Sequence, residues 1–224
     1  MIDLLVVAPH PDDAELGVGG TLARAKAEGK RCGIIDLSRG EMATKGSPEI
    51  REKEAAAAAK ILGLDYRNNL AWPDSMLVDK MEYRLELAQI IRELKPRVII
   101  APHQNDRHPD HVAASLLTPA AIHLAGLAKA PLEGAAHKVE NLFYYMGNAS
   151  FEANLIVDIS DYIEAYEEAL RAYKSQFSGK AVSETVTTDI FRRRRARAAY
   201  WGSFINAQYG EPLISAKPLA FFPL

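Results

Sequence analysis

Two short stretches of this 224-residue chain hold most of its metal-capable and proton-moving side chains. The first is Ala8-Pro9-His10-Pro11-Asp12-Asp13, directly after the apolar run Leu4 to Val7. The second is Asp106-Arg107-His108-Pro109-Asp110-His111, shortly after Val98 to Ala101. Each sets imidazoles beside spare carboxylates where a strand should end. Zinc in a hydrolytic role usually takes three N/O ligands and keeps one position open for water. His10 and Asp13 from one cluster and His111 from the other supply such a set. Asp12 and His108 then remain, a carboxylate to take a proton from the attacking water and an imidazole to stabilise or protonate what forms. Asp12 and Asp13 are adjacent, so one can bind metal while the other faces the water. One cluster alone reads as a polar loop, but two at two strand ends point to hydrolysis at a single metal.

The elements that must position these clusters are legible around them. Leu4 to Ala8, Cys32 to Leu37 and Val98 to Ala101 are short, nearly continuous apolar runs, as parallel strands buried on both faces are. Leu142 to Met146 and Leu155 to Ile159 are later strand candidates. Ser47-Pro48-Glu49 offers an N-cap, a first-turn proline and an early acid to a helix that runs through Ala55 to Ala59 and stops at Gly63. Leu87, Ile90, Ile91 and Leu94 share a helical face before Pro96. Apolar patterning predicts two late helices, about Tyr162 to Phe177 and about Asp189 to Ala207. This alternation predicts an α/β fold, one Rossmann-like domain over residues 1–224 with a mostly parallel sheet and helices on both faces. Ligands of such sheets sit outside the carboxyl ends of the strands, where both clusters fall. The polar segment Ser178 to Thr188 reads as a surface loop that could border a site. Gly17-Val18-Gly19-Gly20 lacks the dinucleotide spacing and reads as close packing of a helix on the sheet.

Composition narrows the partners. With 27 basic and 29 acidic residues the formal charge is −2, which gives no electrostatic reason to expect nucleic acid or an anionic membrane. The first residues show no signal-peptide pattern, and no apolar stretch approaches the roughly 20 residues that span a bilayer. A cytoplasmic protein is expected. Cys32 is the only cysteine, which excludes an intrachain disulfide and a Cys-based zinc site, and it reads as a buried strand residue. His103, His123 and His137 read as structural. Arg192 to Arg195 with Arg197 reads as a solvated helix face or a subunit-interface ion-pair cluster, and Phe221-Phe222-Pro223 as a tail docked on the body or a neighbour.

His-Pro-Asp-Asp after the first strand and His-Pro-Asp-His after a later one resemble the PIG-L/LmbE-like zinc-dependent N-deacetylases of amino sugars. The resemblance covers nearly the whole chain, through Ser38-Arg39-Gly40-Glu41-Met42, Glu49-Ile50-Arg51, Leu70-Ala71-Trp72-Pro73-Asp74, Asn141-Leu142-Phe143-Tyr144-Tyr145-Met146 and Arg171-Ala172-Tyr173-Lys174-Ser175-Gln176-Phe177. These strings look most like the branch that deacetylates N-acetylglucosaminyl malate in bacillithiol biosynthesis.

The resemblance implies zinc ligands at His10, Asp13 and His111, and a general base at Asp12 that returns its proton to the departing amine. It implies an oxyanion partner at His108, as imidazolium, and a carboxylate at Asp110 that orients a neighbouring imidazole. Glu41, Arg51 and Asp74 would contact the sugar and its aglycone. The implied reaction removes acetate from N-acetyl-α-D-glucosaminyl L-malate. The alternatives are another N-acetylglucosamine conjugate, such as chitobiose or an inositol glycoside, and a non-catalytic sugar- or metal-binding module. Sugar hydroxyls suit short carboxylates such as Glu41 and Asp74, and a malyl dicarboxylate suits the planar fork of Arg51 or Arg107. A His₂Asp donor set also accepts iron, cobalt or manganese. Family members are often trimers or hexamers, so the resemblance implies a homo-oligomer.

Overall fold

The computed structural model describes residues 1–177 and 190–219. Every residue of β1 (Leu4–Ala8) is buried, as is every residue of β2 (Cys32–Ser38) beside it. β3 (Tyr66–Trp72), β4 (Val98–Pro102) and β5 (Asn141–Tyr145) extend a parallel sheet on both sides of this pair. β7 (Gly210–Ser215) runs antiparallel between β5 and β6 (Leu155–Asp158). The order is β3-β2-β1-β4-β5-β7-β6, seven strands in one mostly parallel sheet.

Side chains alternate across a strand, and here the alternation feeds two cores. Leu4, Val6 and Ala8 pack under α1 (Asp13–Ala27), α2 (Pro48–Ile61) and α5 (Ile163–Arg171). Leu5 and Val7 pack under α3 (Met81–Leu94) and α4 (Pro109–Gly126). The fold is α/β with helices on both faces, as the alternation of runs predicts. Cys32 lies in the first of these cores, and burial pushes its thiol up to about 12. No helix among the described residues is long and apolar enough to cross a membrane.

The topology has one consequence for function. From β1 the chain steps outward to β2 and β3, then returns to lay β4 against the other side of β1, with Leu4 opposite Val98 and Val6 opposite Ile100. The order reverses between β1 and β4, and a crevice opens at their carboxyl ends. Both reactive clusters emerge there.

Ser47 caps α2 as expected, its Oγ accepting from Ile50 N at 3.4 Å, and Gly63 follows the helix at φ 65°. The late helical pattern breaks at Ala172-Tyr173 into α5 and the single turn α6 (Lys174–Phe177), because Tyr173 turns inward to donate to Glu15 Oε1 at 2.9 Å. α7 (Ile190–Ser203) stops short of Ala207. Ser178 to Thr188, Asp189 and Phe221-Phe222-Pro223 lie outside the described residues.

The small residues of α1 let it approach the sheet. A Cβ on Gly17 would sit 2.4 Å from the Tyr145 ring, and one on Gly20 would sit 2.7 Å from Ile159. α1 bends at Val18 (φ −146°, ψ 27°), and the freed amides beyond the bend are met by a side chain from β7. Glu211 accepts from Gly20 N at 2.8 Å and from Thr21 N and Oγ1 at 2.6 Å each. Glu211→Ala strands these buried donors, and the expected cost is about 3 kcal/mol. Urea unfolding reads it as a lower midpoint at unchanged slope, and an unchanged midpoint would remove the capping role.

Candidate metal centre and active site

Both clusters are strand-to-helix junctions. Asp12 precedes α1 at φ 110°, ψ −26°, a conformation that costs a non-glycine residue roughly 1–3 kcal/mol. His108 precedes α4, with Pro109 as the first helical residue and Nδ1 accepting from Asp110 N at 3.2 Å. Since β1 and β4 are neighbours, the junctions meet. Ring centroids lie 4.8 Å apart for His10–His108, 5.1 Å for His108–His111 and 5.7 Å for His10–His111.

Three donors converge on one point. His10 Nδ1 is 3.0 Å from Asp13 Oδ2, and His111 Nε2 is 3.2 Å from the same oxygen. Tetrahedral zinc bonds of about 2.0–2.2 Å set neighbouring ligand atoms about 3.3–3.6 Å apart. The two separations to Asp13 Oδ2 are within a few tenths of an ångström of that spacing, and all three donors lie within 4.8 Å of one another. The far nitrogen of each ring is held by carboxylates. His10 Nε2 lies 3.0 Å from both Asp110 Oδ2 and Asp74 Oδ1, and His111 Nδ1 lies 3.1 Å from Asp106 Oδ2. Such partners fix the ring and leave the lone pair on the nitrogen that faces the shared point. His10, His108 and Asp110 form a second close grouping. Asp110 there is already committed, accepting from Ser75 N at 2.7 Å and Leu77 N at 3.2 Å as well as facing His10.

The charges also suit a divalent cation. Asp12, Asp13, Asp74, Asp106 and Asp110 crowd around three imidazoles and Arg51. Burial alone would lower the pKa of His10, but Asp110, Asp13 and Asp74 outweigh it and hold the ring well above the usual histidine value. His111 is pushed up to about 9, the carboxylates of Asp13 and Asp106 overcoming its burial. The imidazoles in turn hold Asp13, Asp74 and Asp106 below the usual carboxylate range in spite of burial. Asp12 behaves differently. Burial pushes it up to about 7, against the pull of Arg51. Burial, with His10 and His111 nearby, lowers His108. Its Nδ1 accepts a backbone hydrogen bond, so the proton of the neutral ring sits on Nε2, where the resemblance implied an imidazolium.

Of the residues expected to contact substrate, Arg51 and Asp74 line the cleft that holds the imidazoles, and Glu41 and Arg107 do not. Glu41 Oε1 accepts from Asp74 N at 2.8 Å, bracing the backbone behind the site. Asp74 is 5% exposed and lines the cleft, where it is engaged by His10 and by Met42 N at 2.8 Å. Arg51 is 4% exposed, donates to Pro11 O and Gly40 O, and lies 3.3 Å from Asp12 Oδ1. It braces the Asp12 junction and lines the cleft at the same time. Arg107 lines a neighbouring cavity instead of the cleft. His103 accepts from nearby Asn105 N, and His137 bonds across the fold to Pro96 O.

Three residues without an assigned role in the sequence complete the site. Asp106 accepts from His108 N and Asn148 N, each at 2.8 Å, while facing His111. Asn148 adds a side-chain bond to Asp106 Oδ1 at 3.1 Å. Buried Gln176, tied to Lys45 O at 2.8 Å, lines the cleft of about 210 Å³ that holds the three imidazoles. Asp106 was visible as a second carboxylate in its own cluster. Asn148 and Gln176 reach the site only through tertiary structure.

The family profile of PIG-L, described as GlcNAc-PI de-N-acetylase, matches residues 5–122, a span that contains both clusters. The chain belongs to the PIG-L family. Diacetylchitobiose deacetylase of Thermococcus kodakarensis is 30% identical over 226 residues, covering 93% of this PIG-L chain and 80% of that protein. A probable N-acetyl-α-D-glucosaminyl L-malate deacetylase 2 of Bacillus anthracis is 28% identical, covering 79% and 82%. Among solved structures, a conserved protein from Thermus thermophilus superposes with a TM-score of 0.93 at 56% identity, covering 100% of this chain and 98% of that one. Both named relatives of this PIG-L chain are deacetylases of N-acetylglucosamine conjugates.

Proposed function

We propose that this PIG-L protein is a metal-dependent hydrolase that removes the acetyl group from an N-acetylglucosamine conjugate, N-acetyl-α-D-glucosaminyl L-malate, yielding acetate and the free amine. One observation carries the reading. Three N/O donors meet at a point, with a further carboxylate, Asp12, beside them that is held by Arg51 and bonded to none of the imidazoles.

His10, Asp13 and His111 would hold zinc, the cation such a donor set favours. When bound, the cation supplies Lewis acidity, polarising an amide carbonyl and making water nucleophilic near neutral pH. Asp12 takes the proton from that water and passes it to the amine nitrogen as the C–N bond breaks. A carboxyl near 7 suits both transfers, because a base works best when its pKa lies near the working pH. Arg51, 3.3 Å away, fixes the direction of the Asp12 carboxylate. His108 directs Nε2–H at the carbonyl oxygen as charge gathers there, a donor set in place before the reaction begins.

The malate conjugate is favoured by the arginine surplus beside the cleft and by the Bacillus anthracis relative. Chitobiose is the second reading, favoured by the higher coverage of the Thermococcus kodakarensis relative. A panel of N-acetylglucosamine conjugates assayed for amine release separates them. Removing malate should cut kcat/KM steeply, and equal turnover of free N-acetylglucosamine would sink the malate assignment. Failure to hydrolyse any member of the panel would leave a sugar- or metal-binding module in place of an enzyme. A cytoplasmic homo-oligomer is part of the same proposal and rests on the family resemblance alone.

A further inference from the structure

The cleft that holds the imidazoles, at about 210 Å³, is smaller than the roughly 300–1,000 Å³ typical of small-molecule sites. It fits the reacting end of a sugar conjugate and little more. A second cavity of about 870 Å³ adjoins it, the two sharing Asn148, Ile190 and Arg194 as a common border. A conjugate with its acetamide among the imidazoles would extend its other end across that border.

The charge of this cavity is one-sided. Arg107, Arg193, Arg194 and Arg197 line it, against the single carboxylate of Glu152. Two of these arginines are built into the wall. Arg194 donates to Leu16 O at 3.3 Å, and Arg197 donates to Met146 O at 3.0 Å and Gly147 O at 3.4 Å. Arg193 has no hydrogen-bond or ion-pair partner among the described residues, and it projects from the exposed side of α7. Beside it Trp201 presents an aromatic face within a cluster whose rings pack at 5.3 and 5.5 Å from Tyr200 and Phe204. A flat apolar face next to a fixed cationic wall suits a small carbon skeleton that carries carboxylates.

We propose that this cavity is the aglycone site, that it selects aglycones carrying carboxylates, and that Arg193 and Trp201 are specificity-determining residues. The assignment rests on the deacetylase reading for what occupies the neighbouring cleft, and it moves recognition of the aglycone from Arg51 to α7, with Arg107, the other arginine expected to meet the malyl carboxylates, in the same cavity. The arginine run, expected as a solvated face or an interface cluster, thereby divides. Arg195 pairs with Glu164 and Glu167 at 2.7 and 2.6 Å, while Arg193 faces the cavity.

Two measurements test it together. L-Malate alone, titrated at low ionic strength, should change tryptophan emission saturably through Trp201. The other tryptophan, Trp72, is buried and stacked on Tyr83. The dimethyl ester of malate should not do so, and Arg193→Gln should weaken the response about tenfold, the loss of a charge-assisted hydrogen bond. In turnover, the ratio of kcat/KM for the malate conjugate to that for free N-acetylglucosamine should fall about tenfold in Arg193→Gln, through KM. A wild-type ratio in that variant, or an ester that binds as well as the diacid, overturns the assignment. Arg193-dependent malate binding in a protein that deacetylates nothing would retain the cavity and discard the enzyme reading.

Discussion

Asp12→Asn yields a folded protein that keeps its metal and loses about a thousandfold in turnover, the scale set by removing a general base. The prediction is specific to Asp12 because the five carboxylates of the site are not equivalent. Asp13 faces the donor point, and Asp74, Asp106 and Asp110 are each committed to an imidazole. Asp12 alone has a guanidinium as its charged partner, and burial holds its proton near the working pH. Asparagine keeps its shape and tolerates positive φ better than most side chains, so the strained backbone at φ 110° is retained without added cost. Metal content by atomic emission and the thermal midpoint should match the wild type while kcat falls. Unchanged turnover would move the base elsewhere, and loss of metal would make Asp12 a ligand.

Asp106→Ala should weaken metal binding by about 10–100-fold, although Asp106 is not among the three converging donors. Its side chain is 1% exposed and collects His111 Nδ1, His108 N and both donors of Asn148. Without it, the His111 ring loses the partner that keeps Nε2 directed at Asp13. The site also lacks slack on this side, since a Cβ on Gly147 would already sit 2.3 Å from Asp106 Oδ2 and 2.9 Å from His111 Nδ1. Competition with a chromogenic chelator reads the affinity directly, and excess zinc should restore part of the lost activity. Wild-type affinity in this variant would mean that His111 needs no orienting carboxylate.

The chemistry was more legible in the sequence than the allocation of roles. Leu4 to Ala8, Cys32 to Leu37 and Val98 to Ala101 announce themselves as buried strands because both faces of the sheet are covered. β3 does not, since Arg67-Asn68-Asn69 breaks any apolar pattern. Arg67 is buried only because Asp36 and Glu15, from other elements, meet its guanidinium. β7 carries Pro212, which argues against a strand. It is accommodated because pairing with β5 begins one residue later, at Leu213. The residue types at the two junctions pointed to a metal and a base. Which carboxylate braces a ring and which faces the cleft depends on where β3 ends relative to β1 and β4. That is why Asp74, read as a sugar contact, lines the cleft yet also braces His10, while Glu41 supports the Asp74 backbone. The α7 arginines looked alike in sequence, and only the sheet edge beneath them separates Arg195, paired with glutamates, from Arg193 at the cavity.

Acetate release by metal-stripped protein, titrated with zinc, tests the central claim most directly. Stripped protein should be inactive, and activity should rise to a break at one equivalent of zinc per chain, with no such break in Asp13→Ala. Deacetylation that persists in chelator, or an Asp13→Ala protein that titrates like the wild type, would contradict a metal centre built from His10, Asp13 and His111.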